Sequence, residues 1–142
     1  MTAKSAVKIA QSVIRIEAQA LTALLPKIGR EFKKACDMIL RSKGRVVLTG
    51  MGKPGFIAQK ISATLSSTGT PSLFLHPAEA LHGDLGRVMK EDIVVAFSNS
   101  GQTEEILKLL PVIRKIGAKL IAVTGNPRSL LARHSDVVLD VS

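Results

Sequence analysis

The sequence predicts an α/β domain in which a five-stranded parallel sheet carries helices on both faces, preceded by two amphipathic helices. Three observations predict it. From residue 45 onward, short Val- and Ile-rich apolar runs alternate with helical patterns, which is the rhythm of a parallel sheet covered on both sides. Before residue 45, apolar residues recur at helical spacing instead. The chain has 142 residues, 46% hydrophobic and 22% charged, enough for one domain with its own core and far from the composition of disordered chains.

Taken in order, Val7, Ile9, Val13, Ile14, Ala18, Leu21, Leu24 and Leu25 mark a first helix over residues 5–25. Pro26 punctuates it. A second amphipathic segment runs over 28–40 and stops at Ser42-Lys43-Gly44. Residues 1–44 are thus expected to be helical and residues 45–142 to form the α/β core of a single domain. Residues 45–49 read as a fully buried strand, followed by a glycine loop and a helix over 55–67. Strand candidates follow at 71–76 and 93–97. A helix is expected over 103–116, with Glu104 and Glu105 favourably placed in its first turn. Gly117 closes it, 120–124 is the fourth strand, 129–134 a short helix, and 137–141 the fifth strand. The sequence stops at Ser142 with no helix after that strand. The expectation is that a partner subunit covers the edge or that the chain is a piece of something longer.

Composition narrows the function classes. The formal charge is +9, and ten of the 20 Lys and Arg residues lie in the first 45 positions. This reads first as a solvated helix face, and it also steers small anions toward the molecule. There are four Phe and no Tyr or Trp, so the aromatic platforms of single-strand nucleic-acid binders are missing. No nucleic-acid partner is expected. The one cysteine, Cys36, excludes an internal disulfide and a zinc finger. It reads as a small buried hydrophobe among Phe32, Ala35, Ile39 and Leu40. No apolar run approaches the ~18 residues of a membrane span, and the N-terminus has no signal-peptide pattern. A cytoplasmic protein without a membrane partner is expected.

In an open parallel sheet, ligands bind beyond the carboxyl ends of the strands, and three loops meet that description. Gly50-Met51-Gly52-Lys53-Pro54-Gly55 formally fits G-x-G-x-x-G. A dinucleotide site also needs an acid at the end of the next strand, about 20 residues on. That strand ends in Phe74-Leu75-His76-Pro77, and the loop also fails the pattern of a P-loop. Ser98-Asn99-Ser100-Gly101-Gln102-Thr103 follows one strand and opens a helix. Ordinary capping needs one such residue. Several hydroxyls around a Gly, with free N–H groups and the helix dipole, read better as a cradle for one anion. The third loop, 76–86, holds His76, Glu79, His82 and Asp84. These read weakly as a metal cluster, and better as bringing His82 into a polar site where its near-neutral titration serves proton transfer. His134 lies in a short basic turn and is expected to be exposed.

Together these loops, in this order, resemble the SIS (sugar isomerase) domains, which have a flavodoxin-like three-layer α/β/α fold. The segments His76-Pro77-Ala78-Glu79-Ala80 and His82-Gly83-Asp84-Leu85-Gly86 are similar to those of bacterial arabinose-5-phosphate isomerases. Those enzymes interconvert D-ribulose 5-phosphate and D-arabinose 5-phosphate on the way to Kdo and lipopolysaccharide. The resemblance implies that Ser98, Ser100 and Thr103 hold a phosphate, with Gly52, Lys53, Asn99 and Gln102 also against the substrate. It implies that Lys53, His82 and Glu105 take part in catalysis. Exchange through an enediol needs a base for a carbon-bound proton and an acid for the oxygens. Glu105 is the expected base, Lys53 stabilises enediolate or phosphate charge, and His82 shuttles a proton or opens the sugar ring. No metal or redox cofactor is implied, and the two N-terminal helices and the bare last strand predict a homo-oligomer, dimer or tetramer. In the family the first loop reads Gly-Met-Gly-Lys-Ser-Gly-His, whereas Pro54 and Phe56 stand here. The family's domain also continues into a further helix bearing another Glu and a His, often followed by CBS domains. These departures leave a second expectation open, a sugar-phosphate sensor without catalysis.

Overall fold

The computed structural model describes residues 3–142, so the first two residues of the expected helical segment lie outside the described residues. The chain order is α1 (Ala3–Ala23), a 3₁₀ turn (Leu25–Lys27), α2 (Arg30–Arg41), β1 (Val46–Gly50), α3 (Lys53–Ser67) and β2 (Ser72–Phe74). It continues with α4 (Pro77–Leu81), a 3₁₀ turn (Asp84–Arg87), β3 (Ile93–Phe97), α5 (Glu104–Ile116), β4 (Lys119–Thr124), α6 (Leu130–Arg133) and β5 (Val137–Asp140). The five strands form one sheet in the order β2-β1-β3-β4-β5, all parallel. The expected three-layer α/β/α fold is therefore present, with the flavodoxin-like strand order. That order reverses direction between β1 and β3, which is where such sheets bind ligands.

Two apolar layers hold the sheet. One face packs Val47, Val94, Ala96, Leu120 and Ala122 against Ile106, Leu109 and Ile113 of α5 and Leu131 of α6. The other packs Val46, Leu48, Val95 and Ile121 against Ala35 of α2 and Ala58 of α3. β1 is buried at every position, which is why it reads as an unbroken apolar run rather than an alternating one. Full burial of each such Leu, Ile or Val contributes about 1.5–3 kcal/mol.

α1 is different. Its turns are amphipathic, yet every side chain from Ala6 to Ala23 is exposed, including Ile14 at 66% and Leu21 at 70%. The segment after it is anchored: Lys27 Nζ bonds Ser142 Oγ at 2.7 Å and pairs with Asp140 at 3.2 Å, at the far end of edge strand β5.

Several expectations are corrected in detail. Helix α3 begins at Lys53 rather than Gly55, because Gly52 turns the chain with φ +62° and Pro54 fits the first turn. The 76–86 segment is not plain loop, since Pro77 opens the short helix α4. Cys36 is only half-buried. Only Ala35 of α2 is buried, while Phe32 and Leu40 are 41% and 82% exposed, so the helix presents a narrow strip to the sheet.

Candidate active site

The three loops singled out from the sequence all leave the carboxyl edge of the sheet around the β1/β3 junction. β1 and β3 are paired up to Gly50↔Phe97, so residues 51–53 and 98–103 start at the same level on neighbouring strands. The β1 loop is tight. A Cβ on Gly55 would lie 2.6 Å from Gly50 O, and one on Gly50 would lie 3.0 Å from Gly55 N. Strand and helix therefore meet backbone to backbone, which only glycine permits. Lys53 is the first residue of α3 and is exposed. No side chain caps that helix.

The 98–103 loop is closed by its own hydroxyls. Ser98 is buried; its Oγ lies 2.7 Å from Thr103 Oγ1 and accepts the Gly101 N–H at 3.0 Å. Ser100 Oγ accepts from Gln102 N–H at 3.2 Å. Gly101 has φ +62°. Asn99, Ser100 and Gln102 are exposed and Thr103 is half-buried. Thr103 occupies the N-cap of α5 without giving a side-chain cap. Two uncapped helix N-termini, α3 and α5, thus stand side by side at the sheet edge. Both direct unpaired N–H groups and positive dipole ends outward, an arrangement suited to anions.

His82 ends α4, and α4 packs against α5, so His82 is held near the helix that opens with Glu104 and Glu105. Glu104 is engaged: Lys108 Nζ lies 2.6 Å from its Oε1, and that hydrogen bond, with the ammonium charge, holds its carboxyl below the usual range. Among the described residues the side chains of Lys53, His82 and Glu105 make no hydrogen bond or salt bridge, although the Glu105 carboxylate feels the charge of Lys108. Three candidate side chains are thus left without a hydrogen-bond or salt-bridge partner.

Two buried atoms near this edge also lack partners, Thr49 Oγ1 and His76 Nδ1. Thr49 is the penultimate residue of β1. The structure does not assemble His76, Glu79, His82 and Asp84 as a metal cluster: Asp84 pairs with Arg87 at 3.3 Å. Among the described residues no group of three or more His, Cys, Asp and Glu side chains is placed to hold a metal ion. No helix among them is long and apolar enough to cross a membrane. His134 is exposed as expected.

The wall behind the 98–103 loop was not anticipated from the sequence. Thr124, Gly125 and Ser129, between β4 and α6, stand directly against that loop. Their signal was available: Thr124-Gly125-Asn126 ends one strand before a helix, as Ser98–Thr103 does.

Residues 39–142 match the SIS domain family. The chain belongs to that family. This SIS domain is 56% identical over 133 residues to arabinose 5-phosphate isomerase KdsD of Pseudomonas aeruginosa, covering 94% of the chain and 41% of the relative. It is 48% identical over 131 residues to KdsD of Escherichia coli K12, covering 92% and 40%. An Escherichia coli CFT073 protein solved in complex with arabinose 5-phosphate superposes with a TM-score of 0.94 at 39% identity, over 99% of this chain and 75% of that one. The SIS domain spans about two fifths of the length of the curated relatives it matches.

Proposed function

We propose that this SIS domain binds a five-carbon sugar phosphate and interconverts D-arabinose 5-phosphate and D-ribulose 5-phosphate through an enediol. The observation that carries the reading is that Lys53, His82 and Glu105 make no side-chain hydrogen bond or salt bridge beside two uncapped helix N-termini at the β1/β3 junction. The arabinose 5-phosphate complex of the Escherichia coli CFT073 relative supports it, as do the names of the arabinose 5-phosphate isomerases at 56% and 48% identity.

In this reading the phosphate sits on the 98–103 loop, against the N–H groups at the start of α5 and the Ser100, Asn99, Gln102 and Thr103 side chains. Ser98 shapes that loop from within. The sugar then extends toward Gly52 and Lys53. Glu105 takes the proton from the carbon beside the carbonyl and returns it to the neighbouring carbon. The electron pair of the broken C–H bond forms the enediol double bond, and the carbonyl oxygen becomes an enediolate stabilised by the Lys53 ammonium. His82 moves the proton between the two oxygens. No electrons leave the substrate, so the proposal includes no redox cofactor and no metal. The proposal places the domain in the cytoplasm, where charged sugar phosphates are retained, supplying a lipopolysaccharide precursor.

The exposed apolar face of α1 supports a homo-oligomer. Two copies packing this helix against each other bury the same stripe twice, the self-complementary contact of a two-fold interface.

The test is conversion of arabinose 5-phosphate by the purified chain, beside Glu105→Gln and Lys53→Ala. Loss of a general base or of charge stabilisation lowers kcat by about 10²–10⁴-fold with the fold intact. Unchanged kcat in both variants overturns the assignment. A second reading, binding without turnover, is favoured by Phe56, an exposed aromatic (70%) in the first turn of α3. There, arabinose 5-phosphate raises Tm but is not converted.

A further inference from the structure

The outward face of the 98–103 loop is only half of its structure. Behind it, four hydrogen bonds tie it to β4, the turn that follows and the start of α6. Ser98 N–H donates to Val123 O at 3.1 Å, Gly125 N–H to Asn99 O at 3.0 Å, and Leu131 N–H to Gly101 O at 3.2 Å. The fourth comes from a side chain: Thr124 Oγ1 donates to Asn99 O at 3.2 Å. The same oxygen accepts the Asn126 N–H at 3.1 Å. Thr124 is 0% exposed, so its hydroxyl is fully used and cannot reach a ligand.

The loop also leans on this wall sterically. A Cβ on Gly101 would fall 2.0 Å from Ser129 Oγ and 3.1 Å from Thr124 Oγ1, and one on Gly125 would fall 2.5 Å from Asn99 Oδ1. Ser129 is itself buried, with its Oγ accepting the Ala132 N–H at 3.2 Å to cap α6. Both sides of the contact have no slack.

Resting on the sugar-phosphate reading above, we infer that Thr124 is a positioning residue: its hydroxyl sets the orientation of the Asn99 peptide, and with it the N–H groups and the Ser100 side chain presented to the phosphate. The physical reason is selectivity among the four ties. Three are made by backbone and persist with any side chain. The Thr124 hydroxyl alone can be removed by substitution. Its loss leaves Asn99 O held by the Gly125 N–H alone, so the peptide can pivot about that one bond, and leaves Asn126 N–H without its acceptor. A misplacement of a ligand-holding group by about 1 Å costs on the order of 10²-fold, whereas a residue serving packing alone leaves ligand affinity of the folded protein unchanged.

The experiment is calorimetric titration of the full chain with arabinose 5-phosphate, for wild type, Thr124→Val and Thr124→Ser, each well below its own Tm. Val keeps the shape and removes the hydroxyl; Ser restores it. The expected result is a Kd raised about 10- to 100-fold in Thr124→Val, with Thr124→Ser within about threefold of wild type. Equal affinity in wild type and Thr124→Val overturns the inference and leaves the site reading standing. No binding by wild type removes that reading, and this inference with it. If Thr124→Val does not fold, amide shifts of the wild-type chain during the same titration decide. Gly125 and Leu131, whose N–H groups bond Asn99 O and Gly101 O, move together with Ser100 and Gln102 if the wall positions the loop. Shifts confined to Ser100 and Gln102 refute it.

Discussion

Gly101→Ala is a test of the site's geometry that needs no substrate. Gly101 has φ +62°, a conformation that costs an L-residue about 1–2 kcal/mol. The new Cβ would also stand 2.0 Å from Ser129 Oγ and 2.4 Å from Ser129 Cβ. Ser129 is 1% exposed and has no room to retreat, so overpacking adds about 1–3 kcal/mol. The sum is a loss of roughly 2–5 kcal/mol, a large share of a typical domain's stability. Ser129→Gly removes both clashing atoms and, as a cap replacement by Gly, costs a few tenths of a kcal/mol, with about 1 kcal/mol as an upper figure. In the double variant the conformational cost of Gly101→Ala persists and the clash does not. The double loss is therefore smaller than the sum of the singles by about 1–3 kcal/mol. Urea denaturation followed by far-ultraviolet circular dichroism measures all four corners, a suitable probe for a chain without Trp or Tyr. Losses that add within about 0.5 kcal/mol, the behaviour of uncoupled sites, refute the close approach of loop and wall.

Three further outcomes follow from other parts of the molecule. Asp92, 2% exposed, accepts from Arg45 N–H at 2.7 Å and Met89 N–H at 2.9 Å; Asp92→Ala strands both donors and lowers stability by about 3–5 kcal/mol, and a loss under about 1 kcal/mol in urea contradicts this. Burial raises the Asp136 carboxyl, but the Lys119 hydrogen bond, the Leu120 N–H and the Lys119 and Lys34 charges together hold it below its ordinary 3.8; Asp140 is lowered by the Ser142 backbone and side chain and by Lys27. A folded value below the unfolded one means the unfolded chain binds these protons more readily. Their contribution is thus full above the ordinary carboxylate range and lost as pH falls through about 4 and below, so Tm drops there, and less so in Asp136→Asn. Ile14→Glu with Leu21→Glu, on the exposed face of α1, shifts the proposed oligomer to monomer by sedimentation without unfolding the α/β core.

Much of the fold was legible because its signals are local. Residues 93–97 were expected as a strand and are one, Ile93–Phe97, since a pure apolar run is bounded by Asp92 and Ser98. α5 begins one residue later than expected and is closed by Gly117 in the left-handed region. α4 was missed because five residues are too few for a helical period to register. Its Pro77 at the first turn and the Ala78-Glu79-Ala80 run were the available cue. The half-burial of Cys36 could not be read, since it depends on how narrow a strip of α2 meets the sheet. In the site, the loops were legible as motifs. The commitment of Ser98 and Thr103 to each other, and the wall formed by Thr124 and Ser129, depend on how the chain folds back on itself. No single motif along the sequence contains them.

The pairing of β1 with β3 up to Gly50↔Phe97 has a metric consequence. Neighbouring strands in a sheet stand about 4.8 Å apart, so the openings of the Lys53 turn and the Ser98 loop are spaced by a ruler made of backbone. Exchanging side chains at this edge retunes affinity but cannot lengthen that ruler. In the proposed sugar-phosphate reading, a ligand one carbon longer or shorter is accommodated on the side of α4 and the 3₁₀ turn after it, whose backbone lies outside the ladder. On that proposal, changing which chain length is accepted is a matter of redesigning residues 76–87, and not the two loops proposed to hold the ends.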